Sequence, residues 1–201
     1  MSAGGPGGGE SGRGVRTFAA VAIPAALREA LAALQAECRR LGLPARWVRP
    51  EGIHLTLKFL GETPQPRLAA AAASLAEAGA GVSGFRLRAE GLGVFPDLRR
   101  ARVLWVGVAD DSGRLSPLVQ RLEAAFARRG FAPERRPFRP HLTIGRFPGP
   151  CPPEALAEAL ARHRGPALGE IPVEALVLFA SELRPDGARY HEIARVALAA
   201  P

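Results

Sequence analysis

The sequence predicts an α+β fold made by repeating one unit, on three observations. The stretch HLTLKFLGE, from His54 to Glu62, is echoed 87 residues later by HLTIGRF, from His141 to Phe147. Around both echoes, runs rich in β-branched and aromatic residues alternate with runs whose apolar residues recur every three or four positions. The order of these runs also occurs twice. A two-copy unit of this size indicates internal duplication and a pseudo-twofold fold, not a solenoid.

Taken in order, VRTFAAVAI from Val15 reads as a strand. Pro24 then opens a helix, the position proline tolerates best, with Leu27, Leu31, Leu34, Cys38 and Leu41 as its apolar stripe and Gly42 as its stop. IHLTLKFLG is the first motif strand, and residues 64–80 form a second helix that begins among prolines and ends at glycine. FRLRAEGLGVF and ARVLWVGVA are strands joined by a turn at Pro96-Asp97. The order then restarts. RVLWVGVA leads into LSPLVQRLEAAFARRG, a helix with Leu115, Leu118, Leu122 and Phe126 on one side. HLTIGRF is the second motif strand and PPEALAEALARH the following helix; VEALVLFASEL and ARYHEIARVAL are paired strands around a turn at Pro185-Asp186-Gly187. RVLWVGVA is shared by the two halves.

Residues 1–14, MSAGGPGGGESGRG, contain no core-forming side chain and are expected to be a disordered tail, leaving 15–201 as a single domain. The absence of a secretion-type apolar stretch or a run of membrane-spanning length leads to an expected cytoplasmic location. The net charge is +8, and of 27 basic residues only Lys58 is lysine. That charge fits an anionic ligand, but solvated helix faces such as Arg39-Arg40 and Arg128-Arg129, written by a GC-rich genome, account for it equally well. Cys38 and Cys151 share no metal-ligand spacing, and Cys38 falls on an apolar helix side as a buried thiol. His163 is expected at a helix end and His191 on a strand surface.

The motifs carry the chemistry. Alternate side chains on a strand share a face, so His54 and Thr56 point one way while Leu55 and Leu57 anchor the other; His141 and Thr143 stand likewise against Leu142 and Ile144. Lys58 joins the face of His54 if the alternation is unbroken. Under pseudo-symmetry the two His–Thr pairs meet around one small ligand. Imidazoles titrate near pH ~6.5, so one takes a proton from an attacking oxygen while the other gives one to a leaving oxygen. Threonine hydroxyls suit the non-bridging oxygens of a phosphate. Such a site needs no metal and suits phosphodiesters with a neighbouring hydroxyl, above all 2′,3′-cyclic phosphates.

With RTFAAVAIP, HLTLKFLGE, GLGVFPDLRRARVLWVGV, FRPHLTIGR and LFASELRPDGARY, the chain resembles the 2H phosphoesterase superfamily over residues 15–198. Within it, the likeness is to the LigT-type RNA 2′,3′-cyclic phosphodiesterases, also described as 2′-5′ RNA ligases. The resemblance implies a two-lobed fold with antiparallel sheets flanking a central cleft and helices on the outer faces. It implies a metal-independent hydrolysis giving 2′-phosphomonoesters, without cofactor, with His54 as proton donor to the leaving 3′ oxygen and His141 as the base that activates water. Thr56 and Thr143 would contact phosphate, Arg146 would pair with a phosphate oxygen, and Phe18 would stack on a base. The expected partner is an RNA end bearing a 2′,3′-cyclic phosphate, met by a monomer away from membranes. Ligation through a 2′-5′ linkage, hydrolysis of another cyclic nucleotide, and a non-catalytic RNA-phosphate clamp are the alternatives.

Overall fold

The computed structural model describes residues 14–165, 167–184 and 187–200; tail residues 1–13 and the turn residues Pro185 and Asp186 lie outside them. The elements are β1 (Val15–Ala22), α1 (Ala25–Arg40), β2 (Arg46–Trp47), β3 (His54–Thr63), α2 (Leu68–Gly79), β4 (Phe85–Phe95), β5 (Val103–Ala109), α3 (Leu115–Arg128), β6 (His141–Arg146), α4 (Pro153–Arg162), β7 (Ala167–Val173), β8 (Ala175–Arg184) and β9 (Gly187–Ala197). Pro24 caps α1, and the helix buries Leu27, Leu31, Leu34 and Cys38 as its spacing predicts. No helix among the described residues is long and apolar enough to cross a membrane.

The strands form one sheet in the order β7-β4-β5-β6-β3-β1-β8-β9, with β2 paired to β6 off this path. Every pairing along the path is antiparallel. The order is symmetric about the β6–β3 junction, where the two motif strands meet through Leu55 and Leu142. Each arm thus runs outward from a motif strand through the strand that opens its unit.

Chain repeats and sheet arms do not coincide, however. One arm is the continuous run β4 to β7, whereas the other joins β1 and β3 to β8 and β9. The helices cross as well: α1 leaves β1 and packs against β6 and β7, while α3 leaves β5 and packs against β3 and α2. Neither half has a core of its own. Leu31, Leu75, Leu104, Leu122, Phe126 and Leu156 belong to one continuous apolar cluster. The interlocking makes a single domain out of two units.

β7 was not expected from the sequence. Its residues ALGEIPV include Gly169 and Pro172, both of which weigh against a strand. It lies at the sheet edge, where a proline removes no ladder bond that matters.

Both motif strands contain a bulge at the third residue after the histidine. Ala20 pairs with Thr56 but Ala19 with Lys58, leaving Leu57 extra; Trp105 pairs with Thr143 but Leu104 with Gly145, leaving Ile144 extra. A bulge reverses the facing of the residues that follow it, up to the next irregularity, which in β3 leaves Leu60 extra between Phe59 and Gly61. Lys58 therefore does not share the face of His54 and Thr56. It turns to the helix side, 3% exposed, where its Nζ donates to a Glu123 carboxylate oxygen at 2.6 Å and the Ala132 carbonyl at 3.0 Å. The bulged Ile144 carbonyl is satisfied by buried Gln35 of α1, at 2.8 Å, and by the Val48 N–H, at 3.0 Å.

Candidate active site

The Leu55–Leu142 pair sets the geometry of the site. Both leucines are fully buried, so their flanking residues face the other side of the sheet. Continuing the antiparallel register from that pair sets His54 opposite Thr143 and Thr56 opposite His141. The two histidines are then diagonal neighbours, and such positions lie about 7–8 Å apart. All four motif residues share one face, half-buried at its middle. The charge of His141 is among the influences felt by His54, which agrees with that proximity.

Each imidazole is held in the same way. Nδ1 of His54 lies 2.8 Å from the Gly52 carbonyl, and Nδ1 of His141 lies 2.7 Å from the Arg139 carbonyl. A carbonyl only accepts, so both Nδ1 atoms carry a hydrogen and both Nε2 atoms are left for proton exchange. The chain has four threonines. Thr17 and Thr63 are buried and bond each other at 2.6 Å, whereas Thr56 and Thr143 make no hydroxyl hydrogen bond among the described residues. The motif hydroxyls are thus the two available to a ligand.

The surroundings of the two histidines differ. Phe18 stacks on His54 at 4.5 Å, Tyr190 meets its edge at 5.0 Å, and Phe179 stands at 6.2 Å. This enclosure pushes the His54 pKa down to about 4, chiefly by burial; the Gly52 carbonyl opposes the shift and the His141 charge adds to it. His141 is flanked by Phe95 at 5.0 Å and Trp105 at 6.4 Å. The Trp105 indole lies flat across Gly93, where a Cβ would come within 2.2 Å of it. Burial raises the Tyr190 hydroxyl pKa, against the pull of Arg146 and Arg16, so the phenol keeps its proton.

Of the residues picked out in the sequence, His54, His141, Thr56 and Thr143 come together. Arg146 joins them at the exposed end of β6 because the bulge at Ile144 turns it onto their face. Phe18 needs a correction. It is on that face but 3% exposed, covered by His54, Phe179 and Tyr190, and so supports the imidazole without offering a face to a base. Tyr190, Phe179, Phe95 and Trp105 escaped sequence reading, since their strands place them here only through pairings between distant parts of the chain. Alternation in RVLWVGVA does separate Val103, Trp105 and Gly107 from the buried Leu104, Val106 and Val108, which is a signal for Trp105.

The remaining candidates take no part. Cys38 is buried with its thiol pushed up to about 11 by burial. His163 follows α4, with Nε2 at 3.2 Å from Glu37, and His191 lies on β9 with Nε2 at 3.5 Å from Glu182.

Comparison with known proteins places this arrangement. The family model described as LigT like Phosphoesterase matches twice, over residues 21–105 and 106–190, dividing the chain inside β5. The RNA 2′,3′-cyclic phosphodiesterase of Methanothermobacter thermautotrophicus is 34% identical over 179 residues, covering 89% of this chain and 96% of that protein. Among solved structures, TT0787 of Thermus thermophilus superposes with a TM-score of 0.78 at 30% identity, covering 92% of this chain and 98% of that one. E. coli LigT complexed with 3′-AMP superposes with a TM-score of 0.72 at 28% identity, covering 92% and 98%.

Proposed function

The chain belongs to the LigT-like phosphoesterases, and from that membership we propose that it hydrolyses RNA 2′,3′-cyclic phosphodiester ends to 2′-phosphomonoesters. The observation that carries the proposal is the pair of imidazoles on one face, each tied through Nδ1 to a backbone carbonyl, with two uncommitted threonine hydroxyls between them.

In this reading Nε2 of His141 takes a proton from water as the water oxygen attacks phosphorus. The bond from phosphorus to the 3′ oxygen breaks, and Nε2–H of His54 gives its proton to that oxygen. The Thr56 and Thr143 hydroxyls donate to non-bridging oxygens, and Arg146 pairs with one of them. His54 is neutral in the free protein at pH 7, since its pKa is about 4. A phosphodiester anion beside the ring favours the charged form, so substrate and proton arrive together. The activity belongs in the cytoplasm on this reading.

The test is an oligoribonucleotide ending in a 2′,3′-cyclic phosphate, with the product analysed for the hydroxyl that keeps phosphorus. A 2′-phosphate is expected; a 3′-phosphate, or no turnover, refutes the proposal. His54→Ala and His141→Ala should each lower kcat by at least ~10²-fold while leaving the thermal melt cooperative. Activity retained by either folded variant removes the role assigned to that residue.

A further inference from the structure

We propose that the face of the histidine pair continues into a track for single-stranded RNA, formed by Phe59, Arg16, Phe138, Arg135 and Arg139, which holds the nucleotides preceding the reacting end. The inference rests on the proposed RNA substrate and adds where the rest of the strand lies.

Phe59, Leu98 and Phe138 are the exposed large apolar side chains among the described residues; Phe59 lies in β3, and Phe138 stands three residues before β6 begins at His141. Phe59 is 55% exposed. The bulge at Leu57 turns it onto the face of His54 and Thr56, where it pairs with Phe18 and lies 6.0 Å from that ring. Beyond that contact with Phe18, more than half of Phe59 is left facing solvent on the site face, at a cost in apolar exposure. Such an open ring is what a stacked base requires.

The backbone gives the track its direction. β3 runs on past the point where β6 begins at His141, toward the segment 132–140 that delivers His141. That segment is built into the fold: Lys58 holds its Ala132 carbonyl, and Glu134 accepts from the N–H groups of Arg135 and Arg136 and pairs with the Arg136 side chain. The arginines on either side are available. Arg135 and Arg139 are exposed and form no ion pair among the described residues. Arg16, two residues before Phe18 and on its face, stands across from Glu62 in β3 without an ion pair to it. Positive charges interleaved with open rings, continuous with a phosphate site, complement a polyanion carrying flat bases.

The experiment compares a 2′,3′-cyclic mononucleotide with a hexaribonucleotide bearing the same end, in the wild type, in Phe59→Ala/Phe138→Ala and in Arg135→Gln. The aromatic double variant should lose about tenfold in kcat/KM on the hexamer while staying within about twofold on the mononucleotide. For a hexamer ending in an inert 3′-phosphate, Arg135→Gln should flatten the slope of log affinity against log salt by about 0.7. Equal losses on both substrates, or no loss on either, overturn the track. If the wild type turns over neither substrate, the hydrolytic reading fails separately, and hexamer binding decides the track. Weaker binding by the aromatic variant upholds it, and unchanged binding overturns it.

Discussion

His54 answers two opposing demands. Its ring is enclosed by Phe18 and Tyr190, which fixes its orientation, yet enclosure opposes the charge that proton donation requires. The cost appears in stability as well as in chemistry. An unfolded histidine takes up a proton near pH ~6.5, whereas folded His54 does so near about 4. Between those values the unfolded state binds more protons, so stability is full above the unfolded pKa and falls as pH drops toward the folded one. The loss attributable to this ring is on the order of 3 kcal/mol by pH 4. Urea unfolding between pH 7 and 4 should show the wild type losing ground to His54→Gln; parallel curves for the two would mean that burial does not hold the ring neutral. The motif residues were legible in the sequence because their alternation with leucine and isoleucine is local. The enclosure of His54 was not, since Phe18, Phe179 and Tyr190 meet only when β1, β8 and β9 lie side by side.

At the scale of elements, the matching bulges decide what stands next to the histidines. Without them Lys58 and Gly145 would face the site; with them Phe59 and Arg146 do. Nothing in HLTLKF or HLTIGR announces an extra residue, because the strand composition is ordinary and the bulge is a relation to the partner strand. Gln35 secures the second bulge, donating from Nε2 to the carbonyls of Val48, at 2.7 Å, and Ile144. Gln35→Ala removes a donor from both carbonyls, the Ile144 oxygen keeping the Val48 N–H, and should cost about 1–3 kcal/mol in urea unfolding. A variant as stable as the wild type would show that the bulge stands without the side chain. Several basic residues serve elements and not ligands. Arg128 and Arg129 of α3 and its end pair with Glu77 of α2, so the charge of +8 overstates the surface open to an anion.

For the molecule as a whole, the twofold order of strands brings the two motif strands together at the junction of the two arms. All the groups used in the proposed reaction are side chains of this chain, so turnover should persist in excess chelator; activity lost to chelation and restored by a divalent ion would refute that scheme. The sequence by itself determined the duplication, the four helices and the two motif strands that carry the His–Thr pairs. Each of these is written in local periodicity or in a short repeated string. Only the tertiary structure decided that the repeats exchange strands and helices between the arms, that Phe18 is covered and Phe59 open, and that Lys58 belongs to the helix side. Those outcomes depend on strand register and on contacts between residues far apart in the chain, which local pattern does not encode.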